Sequence, residues 1–122
     1  MTITNPQLYC ESLWDWGVLD GCFGGRIKPT DADGEVERHG RFLRFETKLP
    51  GTKVPQGQMI TFHSLIATGV YTVVIIWGHP GKPEKITVMT PEKEMVFEDT
   101  TLEDLRNICK AWYEYANSFF PI

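Results

Sequence analysis

The sequence has few of the features that mark several common protein classes. Its 122 residues include three cysteines, Cys10, Cys22 and Cys109, and no two of them form a CxxC motif. The odd count and the wide spacing argue against a disulfide framework and against a zinc site, so we expect three free thiols. The longest purely apolar run, residues 73–77, is far too short to cross a bilayer.

The beginning of the chain also lacks the marks of a secretory leader. Residues 1–10 contain neither a basic start nor an apolar stretch. We therefore expect a cytoplasmic protein that makes no contact with a membrane.

The charge is not that of a protein that coats nucleic acid, since such proteins are usually basic. Sixteen acidic and twelve basic residues give a formal net charge of −4. The C-terminal half is acidic, whereas seven of the twelve basic residues lie within residues 26–53. These seven are Arg26, Lys28, Arg38, Arg41, Arg44, Lys48 and Lys53. This asymmetry is compatible with one basic face beside an acidic one, so an acidic net charge does not exclude contact with a nucleic acid on one side.

The apolar and turn patterns predict a single mixed α/β domain over residues 1–122. Asn5 and Pro6 open a short helix over residues 6–16. A helical stripe follows over residues 56–67, then a buried β-branched strand over residues 70–77. Two short strands are predicted over residues 85–90 and 94–98. A capping box of Thr100 with Glu103 begins the last helix.

Residues 28–48 are predicted to form a β-hairpin. Gly40 tolerates positive φ and His39 visits the left-handed region more readily than most residues, which favours a two-residue turn. Such a turn pairs Arg38 with Arg41 and, counting outward, places Asp33 opposite Glu46 and Asp31 opposite Lys48. Side chains alternate along a strand. One face of the hairpin therefore carries four side chains, those of Asp31, Asp33, Glu46 and Lys48.

Two carboxylates opposed across a ladder repel each other, which in an ordinary sheet would be a defect. A divalent cation between Asp33 and Glu46 would turn the repulsion into affinity, because Mg²⁺ prefers oxygen ligands. Lys48 on the same face is suited to orient or deprotonate a water molecule and to hold a phosphate. The backbone carbonyl of Thr47 points sideways and could add a ligand.

The segments Pro29-Thr30-Asp31-Ala32-Asp33-Gly34 and Phe45-Glu46-Thr47-Lys48 resemble the PD-(D/E)XK nuclease superfamily. The spacing from Asp33 to Glu46 is similar to that of the archaeal Holliday-junction resolvases, and the whole segment looks like small phage-encoded nucleases. The resemblance implies a restriction-endonuclease-like fold, a mixed β-sheet flanked by helices, with Mg²⁺ or Mn²⁺ as cofactor.

The resemblance also implies roles for individual residues. It makes Asp33, Glu46, Lys48 and Gln58 catalytic, and it makes Asp31, Asp33, Glu46, Thr47 and Glu11 candidate metal ligands. Thr30 departs from the motif, which has Pro directly before Asp, so the choice between Asp31 and Asp33 stays open although spacing favours Asp33. Glu11, with Asp15 behind it, corresponds to an acid that many members carry on their first helix.

These features predict a metal-dependent endonuclease acting on DNA, branched or junction DNA included, in a phage or mobile-element context. A homodimer is expected, because cutting two strands symmetrically needs two sites. The alternatives are a nuclease-like fold that binds nucleic acid or a protein without cutting, and a structural protein whose hairpin acids are solvated. An ExK pattern on a strand is common by chance, and Gln58 alone would be read as a helix-start residue. DNA and RNA are not distinguished at this level.

Overall fold

The computed structural model describes residues 5–121, and the chain divides into two compact units between Asp31 and Ala32. The first unit contains helix α1, Pro6–Ser12, and a 3₁₀ turn, Trp16–Leu19. The Asn5 side chain accepts a hydrogen bond from the Leu8 amide (3.1 Å), as expected of a cap. The helix is shorter than predicted because Leu13 is extended. Neither element contains a buried residue.

The second unit is an α/β domain built on a five-stranded mixed sheet in the order β1-β2-β3-β4-β5. Strands β2 and β3 run parallel, and the other neighbouring pairs are antiparallel. The prediction of a mixed α/β sheet flanked by helices is therefore confirmed. The strands are β1 (Gly34–Arg38), β2 (Arg41–Lys48), β3 (Tyr71–His79), β4 (Lys82–Met89) and β5 (Glu94–Phe97), and the helices are α2 (Gln56–Ala67) and α3 (Leu102–Asn117).

The β1–β2 hairpin has the predicted two-residue turn. His39 and Gly40 both have positive φ, 50° and 76°, and Arg38 pairs with Arg41. The Glu37 carboxylate accepts a hydrogen bond from the Gly40 amide (2.8 Å). The register then runs without interruption to the pair of Gly34 with Phe45.

Strand β3 is the centre of the core, as its apolar run predicts. Its residues Val73, Val74 and Ile75 are at most 1% exposed. Because successive side chains alternate, Val74 packs in the cluster that includes Trp112 of α3, whereas Val73 and Ile75 pack with Phe62 of α2. The two helices therefore cover opposite faces of the sheet.

The predicted starts of β4 and of the last helix were also wrong. Strand β4 begins at Lys82, not at residue 85, because Pro83 pairs with Gly78 at a register shift in β3, a position where the missing proline N–H is tolerated. The last helix is capped by Thr101 with Asp104, not by Thr100 with Glu103. The amide of Thr100 instead donates to the carbonyl of Glu84 (2.9 Å), which ties Thr100 to the sheet.

Within residues 5–121, no helix is long and apolar enough to cross a membrane. The longest, α3, has 16 residues.

Candidate active site

The centre of the candidate site is Glu46, near the carboxyl end of β2. It shares a face of the strand with Arg44 and Lys48, towards α2. Glu46 is only 6% exposed, because it lies in register with buried Ile75 of β3. A buried carboxylate is strongly destabilising unless charges and hydrogen bonds compensate for the lost water.

Two side chains supply that compensation, and both contact the same oxygen of Glu46. Lys48 Nζ lies 3.0 Å from Oε1, and Lys48 itself is only 16% exposed. Gln58 Nε2 in the first turn of α2 donates to Oε1 at 3.2 Å. The structure thus brings together three of the residues that the sequence singled out. We call Glu46, Lys48 and Gln58 the carboxylate cluster.

The other end of the Gln58 amide is not satisfied. Its Oε1 is buried and has no hydrogen-bond partner among the described residues. A buried acceptor without a partner costs about 1–3 kcal/mol. Such an atom beside a carboxylate is a suitable place for a bound water molecule or a cation.

Asp33 lies just before β1, and its carboxylate is directed to Thr47. Oδ2 accepts hydrogen bonds from the Thr47 amide (2.8 Å) and from Thr47 Oγ1 (3.1 Å). We expected Asp33 to face Glu46 as the next pair of the ladder, but the ladder ends at Gly34. Past the end of the ladder, the Thr47 amide points to the β1 side but has no backbone partner in β1. The Asp33 carboxylate accepts its hydrogen bond instead.

This contact also fixes the direction of the Thr47 carbonyl. The N–H and C=O of one strand residue point to the same side. Since the Thr47 amide points to Asp33, its carbonyl points to the same open edge of β2. Backbone and carboxylate oxygens therefore meet at that edge, and the carboxylate cluster lies next to it on the α2 face.

The remaining predicted ligands belong to the first unit. Asp31 is its last residue. Glu11 lies in α1 and accepts a hydrogen bond from Gln7 (3.3 Å), while Asp15 caps the amide of Gly17 (2.9 Å). Their role as ligands stays a prediction.

The donor set fits a hard divalent cation better than a soft one. Within residues 5–121, no three His, Cys, Asp or Glu side chains form a metal-holding group. The groups present are the two carboxylates of Asp33 and Glu46, the Thr47 carbonyl and the orphaned Gln58 amide oxygen. Mg²⁺ takes oxygen ligands only, and it commonly binds through one or two carboxylates while keeping several waters.

A second wall of the site was missed by the sequence analysis. A cavity of about 460 Å³ opens on the α3 side of Asp33 and Thr47, and its far wall is formed by Leu105, Arg106, Cys109 and Lys110 of α3. Burial raises the pKa of the Cys109 thiol, and the charge of Arg106 partly opposes the shift. The only sequence signal was the four-residue spacing of the two cations, in a half of the chain that is otherwise acidic.

Besides Lys48, which pairs with Glu46, two more of the seven clustered basic residues have structural partners. Arg38 Nε donates to the side chain of Asn117 (2.8 Å), and the guanidinium of Arg41 lies 3.9 Å from the ring centre of Phe119. These contacts hold the hairpin tip against the end of α3. They reduce the part of residues 26–53 that is free to form a basic face.

Comparisons with protein-family models, with curated proteins and with solved structures each found no match to this chain.

Proposed function

We propose that this protein is a metal-dependent endonuclease of the PD-(D/E)XK type that hydrolyses phosphodiester bonds in DNA. The observation that carries the proposal is the carboxylate cluster: buried Glu46, with Lys48 Nζ at 3.0 Å and Gln58 Nε2 at 3.2 Å from one oxygen. The Asp33 carboxylate and the Thr47 carbonyl lie at the adjacent edge of β2. Carboxylate and carbonyl oxygens beside a lysine suit metal-assisted phosphate hydrolysis.

The position of the cluster in the sheet supports the same proposal. Glu46 and Lys48 lie at the carboxyl end of β2, which is joined to parallel β3 by the α2 crossover. Ligands of open α/β sheets bind outside the carboxyl ends of parallel strands. A restriction-endonuclease-like core, with a hairpin followed by a helical crossover, is the fold that we propose for the second unit.

Asp33, Glu46 and the Thr47 carbonyl would hold a Mg²⁺ or Mn²⁺ ion, with the Gln58 amide oxygen beside them. When bound, such an ion lowers the pKa of water and neutralises charge on the phosphate. Lys48 Nζ orients the attacking water molecule and holds a non-bridging phosphate oxygen. Gln58 keeps the Glu46 carboxylate in place. The expected products carry a 5′-phosphate and a 3′-hydroxyl.

The substrate and setting are part of the proposal. We propose DNA, with branched or four-way-junction DNA as the first substrate to test, and a homodimer that brings two sites to two strands. The proposed location is the cytoplasm of a host cell that carries a phage or mobile element.

The test is incubation of the purified protein with plasmid and with four-way-junction DNA, in Mg²⁺, in Mn²⁺ and in EDTA. Glu46→Gln is run beside Glu114→Gln, which changes an exposed carboxylate of α3 in the same way. We expect cleavage with either metal, none in EDTA, none with Glu46→Gln and full activity with Glu114→Gln. Cleavage that survives Glu46→Gln would overturn the proposal, as would no cleavage together with no heat of Mn²⁺ binding.

The second candidate is a protein of the same fold that binds nucleic acid without cutting it. One observation favours it: Lys48 already neutralises Glu46 and Thr47 already donates to Asp33 Oδ2, so both carboxylates are largely satisfied by protein groups. This candidate predicts DNA binding that is unchanged by EDTA and by Glu46→Gln.

A further inference from the structure

We propose that Arg106 and Lys110 of α3 form a phosphate clamp that holds the DNA backbone beside Asp33. The inference rests on the proposed function, because it takes the substrate to be a phosphodiester chain. It adds a binding surface on the side of the sheet opposite α2, which the sequence had not indicated.

The two cations lie close to the candidate site. Arg106 and Lys110 line the same cavity of about 460 Å³ as Asp33 and Thr47. Four residues apart on a helix, they project from one face about 6 Å apart along its axis. Two cations thus stand in a row along one wall, and Asp33 and Thr47 lie at the other.

Neither cation is held in a strong ion pair, so both can bind a phosphate. Arg106 Nε lies 3.9 Å from Glu103, and the two side chains are 61% and 67% exposed. An exposed pair at that distance is weak, so a phosphate can replace it at small cost. Among residues 5–121, Lys110 makes no salt bridge. The hairpin-tip arginines differ, since Arg38 is hydrogen-bonded to Asn117 and Arg41 lies over Phe119.

The rest of the cavity lining is apolar apart from Asp33 and Thr47. Phe45, Ile76 and Leu105 are apolar, and Asp33 is the one acid lining this cavity. A cation bound at Asp33 would remove that negative charge, and the cavity would then present only positive charge. A strand of DNA laid between α3 and the open edge of β2 would place one phosphate at Asp33 and its neighbours at the clamp.

The test is the salt dependence of DNA binding by the full chain. A labelled duplex is titrated with wild type and with the double variant Arg106→Ala/Lys110→Ala, in EDTA so that cleavage cannot occur, over about 50 to 200 mM salt. Losing two phosphate contacts should flatten the slope of log K against log salt by about 1.8. Lys82→Ala/Lys93→Ala removes the same charge from two exposed lysines outside the cavity and should leave the slope unchanged. Arg106→Lys should keep most of the binding, which separates lost charge from lost folding.

The outcomes distinguish this inference from the proposed function. If the wild type never cleaves DNA but the double variant flattens the salt slope of DNA binding, the nuclease proposal is overturned and the clamp is supported. Cleavage by wild type, with binding slope and kcat/KM unchanged in the double variant, overturns the clamp alone. Wild type that neither binds nor cleaves DNA overturns both. An equal loss in the two double variants also overturns the clamp, because the effect is then one of net charge.

Discussion

The two ends of the β1–β2 hairpin use charged residues in opposite ways. At the tip, Arg38 and Arg41 contact Asn117 and Phe119, at the end of α3. The last turn of α3 has no basic residue of its own, so the hairpin brings positive charge to the end of the helix dipole that favours it. At the open end, Glu46 is buried and Gln58 keeps an orphaned oxygen.

This difference separates the charged residues that stabilise the fold from those that remain able to bind a ligand. The tip side chains pack against the end of α3 and close a surface, although His39 Nδ1 and Arg41 Nε are buried there without a hydrogen-bond partner among residues 5–121. The open-end groups satisfy one another only in part, next to a strand edge where pairing with β1 has stopped. Four predictions test the contrast, from the largest expected effect to the smallest.

The largest effect is expected from Lys48→Met. It leaves the Glu46 carboxylate buried without its cation, which should lower the free energy of unfolding by about 3–5 kcal/mol. Cleavage should fall by about 10²- to 10⁴-fold, because a group that positions water and phosphate is lost. Urea denaturation and initial cleavage rates measure the two effects.

The control for this change is the double variant Glu46→Gln/Lys48→Met, which removes both charges. It should regain most of the stability and none of the activity. Unchanged stability in Lys48→Met would contradict the burial of the pair.

Gln58→Leu should act on metal binding more than on stability. Leucine removes the orphaned oxygen together with the donor to Glu46, and the two effects on stability oppose each other. Loss of a group that orients a ligand typically weakens metal affinity by about 10- to 100-fold. Calorimetric titration with Mn²⁺ checks this. Gln56→Leu, two residues earlier in α2 and outside the cluster, should bind as wild type does.

Arg38→Ala tests the tip. Loss of its hydrogen bond to Asn117 should lower the free energy of unfolding by about 0.5–1.5 kcal/mol, and cleavage by the folded protein should stay unchanged. Lys82→Ala, at the exposed first residue of β4, should change stability by less than about 0.5 kcal/mol. A loss of cleavage in Arg38→Ala would place the tip in the active region and remove the contrast.

The smallest effect concerns the thiol of Cys109. Burial raises its pKa, so the reactive thiolate forms only at higher pH than for an ordinary thiol. Alkylation followed by mass spectrometry should show Cys109 reacting later than exposed Cys10 and Cys22 near neutral pH and catching up as the pH rises. Duplex DNA should slow Cys109 further, because the thiol lines the clamp cavity, and it should not slow the other two.

Local signals predicted much of the hairpin and its continuation. His39-Gly40 determined the turn, and the turn set the register of β1 against β2. The alternation of side chains along β2 puts Glu46 and Lys48 on one face. The apolar stripe of α2 and its position after the strand brought Gln58 to Glu46. These features depend on spacing within a short stretch of chain, which a sequence displays directly.

Contacts between distant segments were not predictable in the same way. Nothing near Asp33 signals that the ladder stops at Gly34 and that its carboxylate turns to the Thr47 amide. Arg106 reaches the cavity because α3 packs across the sheet, and the acidic residues around it in sequence concealed that placement. Thr100 lost its expected capping role to a bond with Glu84, formed across the domain.

The bond between Gln58 and Glu46 also bears on the order of folding. A β-hairpin forms in about 1–10 μs, and β1–β2 contains only Glu46 and Lys48 of the carboxylate cluster. Gln58 arrives with α2, and β2 gains its parallel neighbour β3 only when that crossover has closed. Pairing between segments distant in sequence is slow. We therefore expect the hairpin to fold early and the carboxylate cluster to be among the last parts of the domain to assemble.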